Sequence, residues 1–159
     1  MLLLLLSLVN GCGSRRVGAV PLCAASQLRV TQGRTAVGLG NRLEEVVFTN
    51  VGRKPCLLRG YPTITAQAPS GRRVVVHARR GGTYFGRLVP AVLRPGGRGF
   101  LDFGTANFTD CGIRPIVVAH YDDLIFTLPQ GGRVRGLDIT LTENCSLSIS
   151  ELGRPEPPR

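Results

Sequence analysis

Five cysteines carry the clearest covalent chemistry in this chain of 159 residues, and they are Cys12, Cys23, Cys56, Cys111 and Cys145. Setting Cys12 apart leaves an even set of four, as expected for disulfides in an exported protein. Four cysteines allow three pairings. We favour Cys23–Cys56 and Cys111–Cys145, because each pair lies at the two ends of a strand-rich half. No two cysteines have C-x-x-C spacing, so we predict no metal site.

The segment before Cys12 has the character of an export signal. Residues 1–11 are mostly leucine and valine, too few to span a bilayer but typical of a signal-peptide core. The sequence Val9-Asn10-Gly11-Cys12 resembles a bacterial lipobox, which predicts acylation of Cys12 and a short tether over residues 12–22. No basic residue precedes the leucines, which suggests a start inside the true signal peptide. Cleavage of an ordinary secretory signal near Gly18-Ala19 or Ala24-Ala25 is the alternative.

Signals of catalysis are weak in the rest of the chain. There is no G-x-S-x-G motif and no glycine loop typical of phosphate binding. The adjacent carboxylates of Glu44-Glu45 and Asp122-Asp123 would point to opposite faces of a strand, so we interpret them as solvated edge charges. His77 and His120 have no ligand-like neighbours and are expected at the surface. We therefore predict a non-catalytic protein without a cofactor.

The strongest functional signal is a basic central segment. No carboxylate lies between Glu45 and Asp102, whereas the formal net charge of the chain is +10. The segment contains ten basic residues, which are Arg53, Lys54, Arg59, Arg72, Arg73, Arg79, Arg80, Arg87, Arg94 and Arg98. Within this set, the predicted anion-binding residues are Arg72, Arg73, Arg79, Arg80 and Arg87. Such a field attracts polyanions, although arginine-rich codon usage on an ordinary solvated face would give the same composition.

The predicted partners follow from export and charge together. The membrane would be contacted through the lipid anchor, and the basic face would contact anionic lipid or an anionic cell-wall polymer. Nucleic acid is an unlikely partner, because Tyr84 and Phe85 form the only close aromatic pair in the basic segment.

The elements that must position these residues are strands. Short alternating runs with glycine-rich turns predict an all-β, immunoglobulin-like β-sandwich of eight or nine short antiparallel strands, with a closed barrel as the alternative. The domain is predicted over residues 23–152, followed by a disordered tail over 153–159. The predicted strands are 27–31, 44–50, 63–67, 72–78, 98–103, 116–118, 123–128, one through Leu137, Ile139 and Leu141, and one through Leu147 and Ile149. A loop is expected over 33–41.

One stretch of the chain resembles a known family. Phe48-Thr49-Asn50-Val51-Gly52 followed by Pro55-Cys56-Leu57-Leu58-Arg59-Gly60-Tyr61-Pro62 is similar to the hallmark of an exported actinobacterial domain of unknown function, of the DUF4232 type. Cys23, Gly40-Asn41, Leu93-Arg94-Pro95-Gly96-Gly97, Cys111 and Cys145 follow the same order. The resemblance implies a secreted or lipid-anchored β-sandwich with paired disulfides, and it implies no activity.

Two functional hypotheses follow from the sequence. The first is a non-catalytic module of the cell envelope, held on the outer side of the membrane by Cys12 and contacting anionic components through its basic face. The second is a secreted enzyme or small-ligand carrier whose site residues are not linked by any sequence motif. A pocket with converging polar groups would favour the second hypothesis.

Overall fold

The computed structural model describes residues 19–81, 83–106, 118–144 and 146–156. Within these residues the chain forms strands and one short 3-10 turn at Ala25–Gln27. The strands are β1 (Leu28–Gly38), β2 (Asn41–Asn50), β3 (Cys56–Leu58), β4 (Thr63–Gln67), β5 (Arg73–Val76), β6 (Arg79–Arg80), β7 (Leu88–Val89), β8 (Ala91–Leu93), β9 (Arg98–Ala106), β10 (Val118–Thr127), β11 (Arg133–Leu137), β12 (Leu141–Asn144), β13 (Leu147–Ile149) and β14 (Arg154–Pro155). The predicted all-β class is confirmed. Among the described residues, no helix has the length and apolar character needed to cross a membrane.

Most strands join one mixed sheet in the order β5-β4-β10-β11-β1-β2-β9-β13-β6, with β12 paired to β10. Two smaller sheets pair β3 with β8 and β7 with β14. The prediction of only antiparallel pairing is wrong at two places, since β1 is parallel to β11 and β13 is parallel to β6. These partners are distant in sequence, so no tight turn forces them to run in opposite directions.

The main sheet curls into a half-barrel. Strands β5 and β6 stand at opposite ends of the strand order, yet only His77 and Ala78 separate them in the chain. The two ends of the sheet must therefore approach each other. Phe48 of β2 meets Phe126 of β10 inside the curve, with ring centroids 5.4 Å apart and an interplanar angle of 78°. Edge-to-face contact of this kind joins strands that are not neighbours in the sheet.

The alternation of apolar residues correctly predicted which face of several strands is buried. Val46 and Phe48 are buried on β2, and Leu124, Phe126 and Leu128 are buried along and just after β10. On β13 the predicted inward residues, Leu147 and Ile149, are buried, and on β5 Val76 is buried whereas Arg73 is exposed. Period-two patterning identified the buried face of these strands, because one face of each packs on the core.

The predicted loop over 33–41 is wrong. Strand β1 continues to Gly38 and forms a hairpin with β2 through a turn at Leu39 and Gly40, with φ of 46° and 75°. Positive φ at both turn residues matches the twist of paired strands. The strand continues past Gly33, and its register with β2 shifts between Gln32 and Thr35. A Cβ at Gly33 would lie 2.8 Å from Glu45 Oε1, so glycine permits this close approach.

The predicted strand from Leu137 to Leu141 is also wrong. Strand β11 ends at Leu137, whose side chain is 50% exposed, and Asp138 adopts a left-handed φ of 51°. Ile139 and Leu141 are buried, as predicted, but Leu141 begins a different strand, β12. Alternation alone did not reveal the break, because an aspartate can adopt this conformation without a glycine.

The predicted disordered tail is ordered in its described part. Gly153 pairs with Phe100 through two backbone hydrogen bonds of 2.7 and 3.0 Å, and Arg154–Pro155 pair with β7. A Cβ on Gly153 would lie 1.8 Å from the carbonyl oxygen of Val89, so the backbones touch here. Residues 157–159 lie outside the described residues.

The predicted disulfide Cys23–Cys56 is confirmed, with Cα atoms 4.7 Å apart. It fastens the chain before β1 to β3, where the backbones also pair through Cys23 N to Leu57 O at 3.0 Å. Cys111 and Cys145 lie outside the described residues, as does Cys12, so the second disulfide and the lipid anchor remain predictions.

The turn after β2 is organised by Asn50, whose side chain is fully buried. Its amide Nδ2 donates to the carbonyl oxygens of Lys54 and Leu93, both at 2.9 Å, and its Oδ1 accepts from Gly52 N at 2.9 Å. The predicted Asx turn is therefore present. The expected positive φ at Gly52 is absent; instead, a Cβ there would lie 3.1 Å from Asn50 Oδ1 and from the side chain of Gln27.

Candidate functional site

The five predicted anion-binding arginines do not form one continuous face. Arg73 of β5 binds Asp123, which Arg135 also contacts at 2.5 Å through its Nε. Asp123 has a φ of 49° at a register shift in β10, which places its carboxylate between the two guanidinium groups. The hydrogen bond from Arg73 is the main cause that lowers the pKa of Asp123. One negative charge is shared between two guanidinium groups, so the charge of Arg73 is partly compensated.

The other four arginines lie in different surroundings. Arg72 is exposed in the turn before β5, and Arg80 lies over the ring of Tyr61 at 5.4 Å from its centroid. Arg79 of β6 lines one surface cavity and Arg87 lines another. The structure thus distributes the predicted set over four places: the start of β5, the ring of Tyr61 and the two cavities.

The larger of these two cavities is a cleft of about 580 Å³, which we call the Arg79 cleft. Arg79, Arg42, Tyr84, Phe85, Ser146 and Ser148 are among its lining residues. The rings of Tyr84 and Phe85 meet edge to face at 5.3 Å, and 57% of Tyr84 is exposed. Two of the lining residues approach closely, because a Cβ at Gly104 would lie 2.9 Å from Ser148 Oγ.

The two arginines of the Arg79 cleft differ in charge balance. Arg42 Nε binds Glu44 Oε1 at 2.8 Å, and Glu44 is buried with its Oε2 accepting from Thr142 N at 3.0 Å. Within the described residues, Arg79 takes part in no ion pair. The cleft therefore presents one uncompensated guanidinium beside an exposed aromatic ring and serine hydroxyls.

The smaller cavity, of about 250 Å³, is lined by Arg34, Glu45, Phe85, Gly86, Arg87, Leu88, Asp102, Pro155 and Glu156. We call it the carboxylate pocket. Glu45 of β2 and Asp102 of β9 are directly opposite each other in the sheet register. Opposite residues on paired strands share a face, so the two carboxylates are brought together.

Asp102 is unusual among the acidic residues. Only 5% of it is exposed, and its Oδ1 has no hydrogen-bond partner among the described residues. Burial, reinforced by the negative charge of Glu45, raises the pKa of Asp102 to about 6. Glu45 is itself held by Arg34, with Arg34 Nε 3.3 Å from Glu45 Oε2. A carboxyl group with this pKa exchanges its proton close to neutral pH.

This carboxylate pair was missed from the sequence. Adjacent acids such as Glu44-Glu45 point to opposite faces, and that expectation holds, but the partner of Glu45 is 57 residues later on β9. One sequence signal could have pointed to this pair. Glu45 and Asp102 are the two carboxylates at the ends of the long segment that contains no acidic residue. The interpretation of Glu44 as a solvated edge charge is wrong, since Glu44 is 4% exposed and bound to Arg42.

The two histidines lie away from both cavities. His77 is exposed, and His120 is exposed with its Nδ1 3.2 Å from Thr142 Oγ1. In the part of the chain that the structure describes, no group of three or more histidine, cysteine, aspartate or glutamate side chains could hold a metal ion.

Comparison with known proteins gives one match. No curated protein matches this chain, and no solved structure matches it. The family model described as "Domain of unknown function (DUF4232)" matches residues 23–146, which begin at the first cysteine of the disulfide and include both the Asn50 turn and the Gly60-Tyr61-Pro62 corner. The chain belongs to the DUF4232 family of domains of unknown function.

Proposed function

We propose that this protein is a non-catalytic module of the cell envelope that binds an anionic wall polymer in the Arg79 cleft. The observation that carries the proposal is the uncompensated guanidinium of Arg79 in a cleft that also offers an exposed aromatic ring. A planar guanidinium donates two parallel hydrogen bonds to a phosphate or carboxylate.

The lining favours a sugar- or polyol-containing polymer over a bare ion. Tyr84 offers a ring face and edge for apolar contact, while Ser146 and Ser148 offer hydroxyl groups for hydrogen bonds. The volume of about 580 Å³ lies within the usual range of small-molecule sites. One or two repeating units of a phosphorylated or acidic polymer would fit these groups.

The anchoring part of the proposal comes from the sequence. Acylation of Cys12 and a tether over residues 12–22 would hold the domain on the outer side of the membrane, next to such polymers. The leucine-rich segment ending in Gly11-Cys12 supports this arrangement. An actinobacterial source is part of the same proposal.

We also propose the finer description of the fold. The contact between Phe48 and Phe126 supports a sandwich-like packing of the curled sheet, in the manner of an immunoglobulin-like domain. A second disulfide, Cys111–Cys145, would complete the pairing begun by Cys23–Cys56, because it leaves no free thiol in the domain.

The test is equilibrium binding of the purified domain to poly(glycerol phosphate) at two salt concentrations. We expect Arg79→Gln to weaken binding about tenfold or more, since hydrogen bonds to charged groups contribute about 1.5–3 kcal/mol. The matched control is Arg72→Gln, which removes an exposed arginine outside the cleft and should leave affinity nearly unchanged.

Three further comparisons make the test decisive. Neutral dextran should not bind, and binding to the polymer should weaken as salt screens the charges. Equal affinity of wild type and Arg79→Gln would refute the proposal. Stronger binding to phosphatidylglycerol vesicles than to the polymer would also overturn it, in favour of a lipid contact.

A second candidate function, a secreted enzyme or small-ligand carrier, is favoured by one observation. Asp102 lines the carboxylate pocket, and its buried Oδ1 has no hydrogen-bond partner among the described residues. Of these two functions, a small-ligand carrier requires less of the pocket than an enzyme does, because a ligand that donates one hydrogen bond would satisfy Asp102 Oδ1.

A further inference from the structure

We propose that the carboxylate pocket binds a primary ammonium group, through Asp102 and Glu45. This site is distinct from the Arg79 cleft and would serve a different ligand chemistry. It rests on the second candidate function, small-ligand carriage in the carboxylate pocket, and names the ligand chemistry, which neither the family description nor the proposed anionic partner assigns.

The first step is the incomplete hydrogen bonding of Asp102. The backbone of Asp102 is fully engaged with Ser150, because Asp102 N donates to Ser150 Oγ at 2.8 Å and Ser150 N donates to Asp102 O at 3.0 Å. The side chain is 5% exposed, yet Oδ1 lacks a partner in the described part of the chain. A buried acceptor left unpaired is costly, so a donor delivered by a ligand is strongly favoured.

The second step is the charge of the pocket. Three carboxylates, those of Glu45, Asp102 and Glu156, line it together with two guanidinium groups, those of Arg34 and Arg87. Arg34 is already paired with Glu45, and its side chain is 68% exposed. The pocket therefore retains excess negative charge when Asp102 is ionised, and a cationic ligand balances it.

The third step is the shape of the cavity. At about 250 Å³ it is larger than a single water and smaller than a typical drug-sized site. Phe85 and Leu88 give it an apolar wall. An ammonium group carries three N–H donors and no acceptor, which suits two facing carboxylates, while the carbon atoms beside it would contact that wall.

The local sequence maintains this arrangement. Gly33 permits the register shift in β1, and a Cβ at this position would lie 2.8 Å from Glu45 Oε1. The shift also brings Arg34 N to 3.4 Å from the same oxygen. The carboxylate of Glu45 is thus held in place on the same face as Asp102.

The experiment is a titration of the ¹⁵N-labelled domain with D-glucosamine at pH 7, followed by two-dimensional NMR. N-acetyl-D-glucosamine is the matched control ligand, because acetylation removes the positive charge and keeps the sugar ring. We expect saturable shifts at Glu45, Phe85, Gly86 and Asp102 with glucosamine only. Binding should weaken at pH 5, where Asp102 carries its proton.

Variants complete the design. Asp102→Asn should weaken glucosamine binding about tenfold, and Glu45→Gln should weaken it severalfold. Asp122→Asn removes an exposed carboxylate elsewhere and should change nothing. Well-dispersed NMR signals show that a variant is folded. If Asp102→Asn does not fold, the Glu45→Gln variant alone tests the proposal.

Equal shifts with both sugars would overturn the inference, as would unchanged binding in a folded Asp102→Asn or Glu45→Gln variant. No saturable shift at pH 7 would overturn it as well. None of these outcomes affects the Arg79 cleft, whose test uses a different ligand and a different residue.

Discussion

At the scale of single residues, Asn50 shows how much one side chain can hold together. Its amide joins the carbonyl groups of Lys54 and Leu93, and its backbone NH donates to Gly97 O at 2.9 Å. The turn after β2 and the turn before β9 are therefore connected through one buried residue. The sequence indicated the local turn, but the partner 43 residues away appears only in the folded chain.

We predict that Asn50→Ala lowers the free energy of unfolding by about 2–4 kcal/mol, because two buried carbonyl groups lose their donor. Urea unfolding followed by circular dichroism measures the change. The control is Asn41→Ala, whose Nδ2 donates to Leu39 O at 3.0 Å in an exposed hairpin turn. A loss of similar size in both variants would contradict the special position of Asn50.

Asp102 gives a prediction about pH dependence. Its pKa is raised from 3.8 to about 6 in the folded protein, so the folded state binds its proton more tightly than the unfolded state. The stabilisation that comes from protonated Asp102 is fully present below about pH 4 and is lost as the pH rises through about 6. Its size is about 1–2 kcal/mol after allowance for solvent screening.

The measurement is urea unfolding of wild type and Asp102→Asn between pH 4 and pH 8. The stability of the variant relative to wild type should increase between pH 4 and pH 6 and then become constant. Comparing the two proteins cancels the titration of carboxylates that are distant from Asp102. A pH-independent difference would show that Asp102 has an ordinary pKa.

At the scale of elements, the predictable and unpredictable parts of the fold divide by distance along the chain. The buried faces of β2, β10 and β13 could be predicted from the sequence, because a strand that is buried on one side alternates apolar and polar residues. The β1–β2 hairpin was missed, since Gly33, Gly38 and Gly40 suggested a loop rather than close approach of two strands. The pairing of Glu45 with Asp102, and so the carboxylate pocket, depends on register between strands that no local pattern contains.

The last strand gives a prediction at this scale. Gly153→Ala should lower the free energy of unfolding by more than about 3 kcal/mol, since its methyl group would overlap the carbonyl oxygen of Val89. Thermal unfolding measures the effect. The matched control is Gly38→Ala, where the nearest atom to the new Cβ, in the ring of Phe85, is 3.9 Å away. Equal melting temperatures for Gly153→Ala and wild type would contradict the close contact between Gly153 and Val89.

At the scale of the whole molecule, the basic residues are arranged around the sheet rather than on one face. The arginine-rich composition indicated an attraction for anions but not which guanidinium groups remain free. Arg73 and Arg42 are held by carboxylates, while Arg79 is not within the described residues. The site therefore could not be read from the spacing of arginines alone.

The proposed membrane attachment is also a property of the whole protein. We predict that Cys12 is acylated, so that the protein expressed in an exporting bacterial host partitions into the membrane. Metabolic labelling with an alkynyl fatty acid, compared with Cys12→Ser, measures this modification. Equal labelling of both proteins would exclude Cys12 as the site.

The parallel pairing of β1 with β11 has a consequence for how the chain folds. Val30 and Gly136 are neighbours in the sheet although more than one hundred residues separate them. Such a fold has a high contact order, and we expect folding in milliseconds to seconds rather than microseconds. The early Cys23–Cys56 crosslink shortens this search, because it restricts the unfolded ensemble before the late strands arrive.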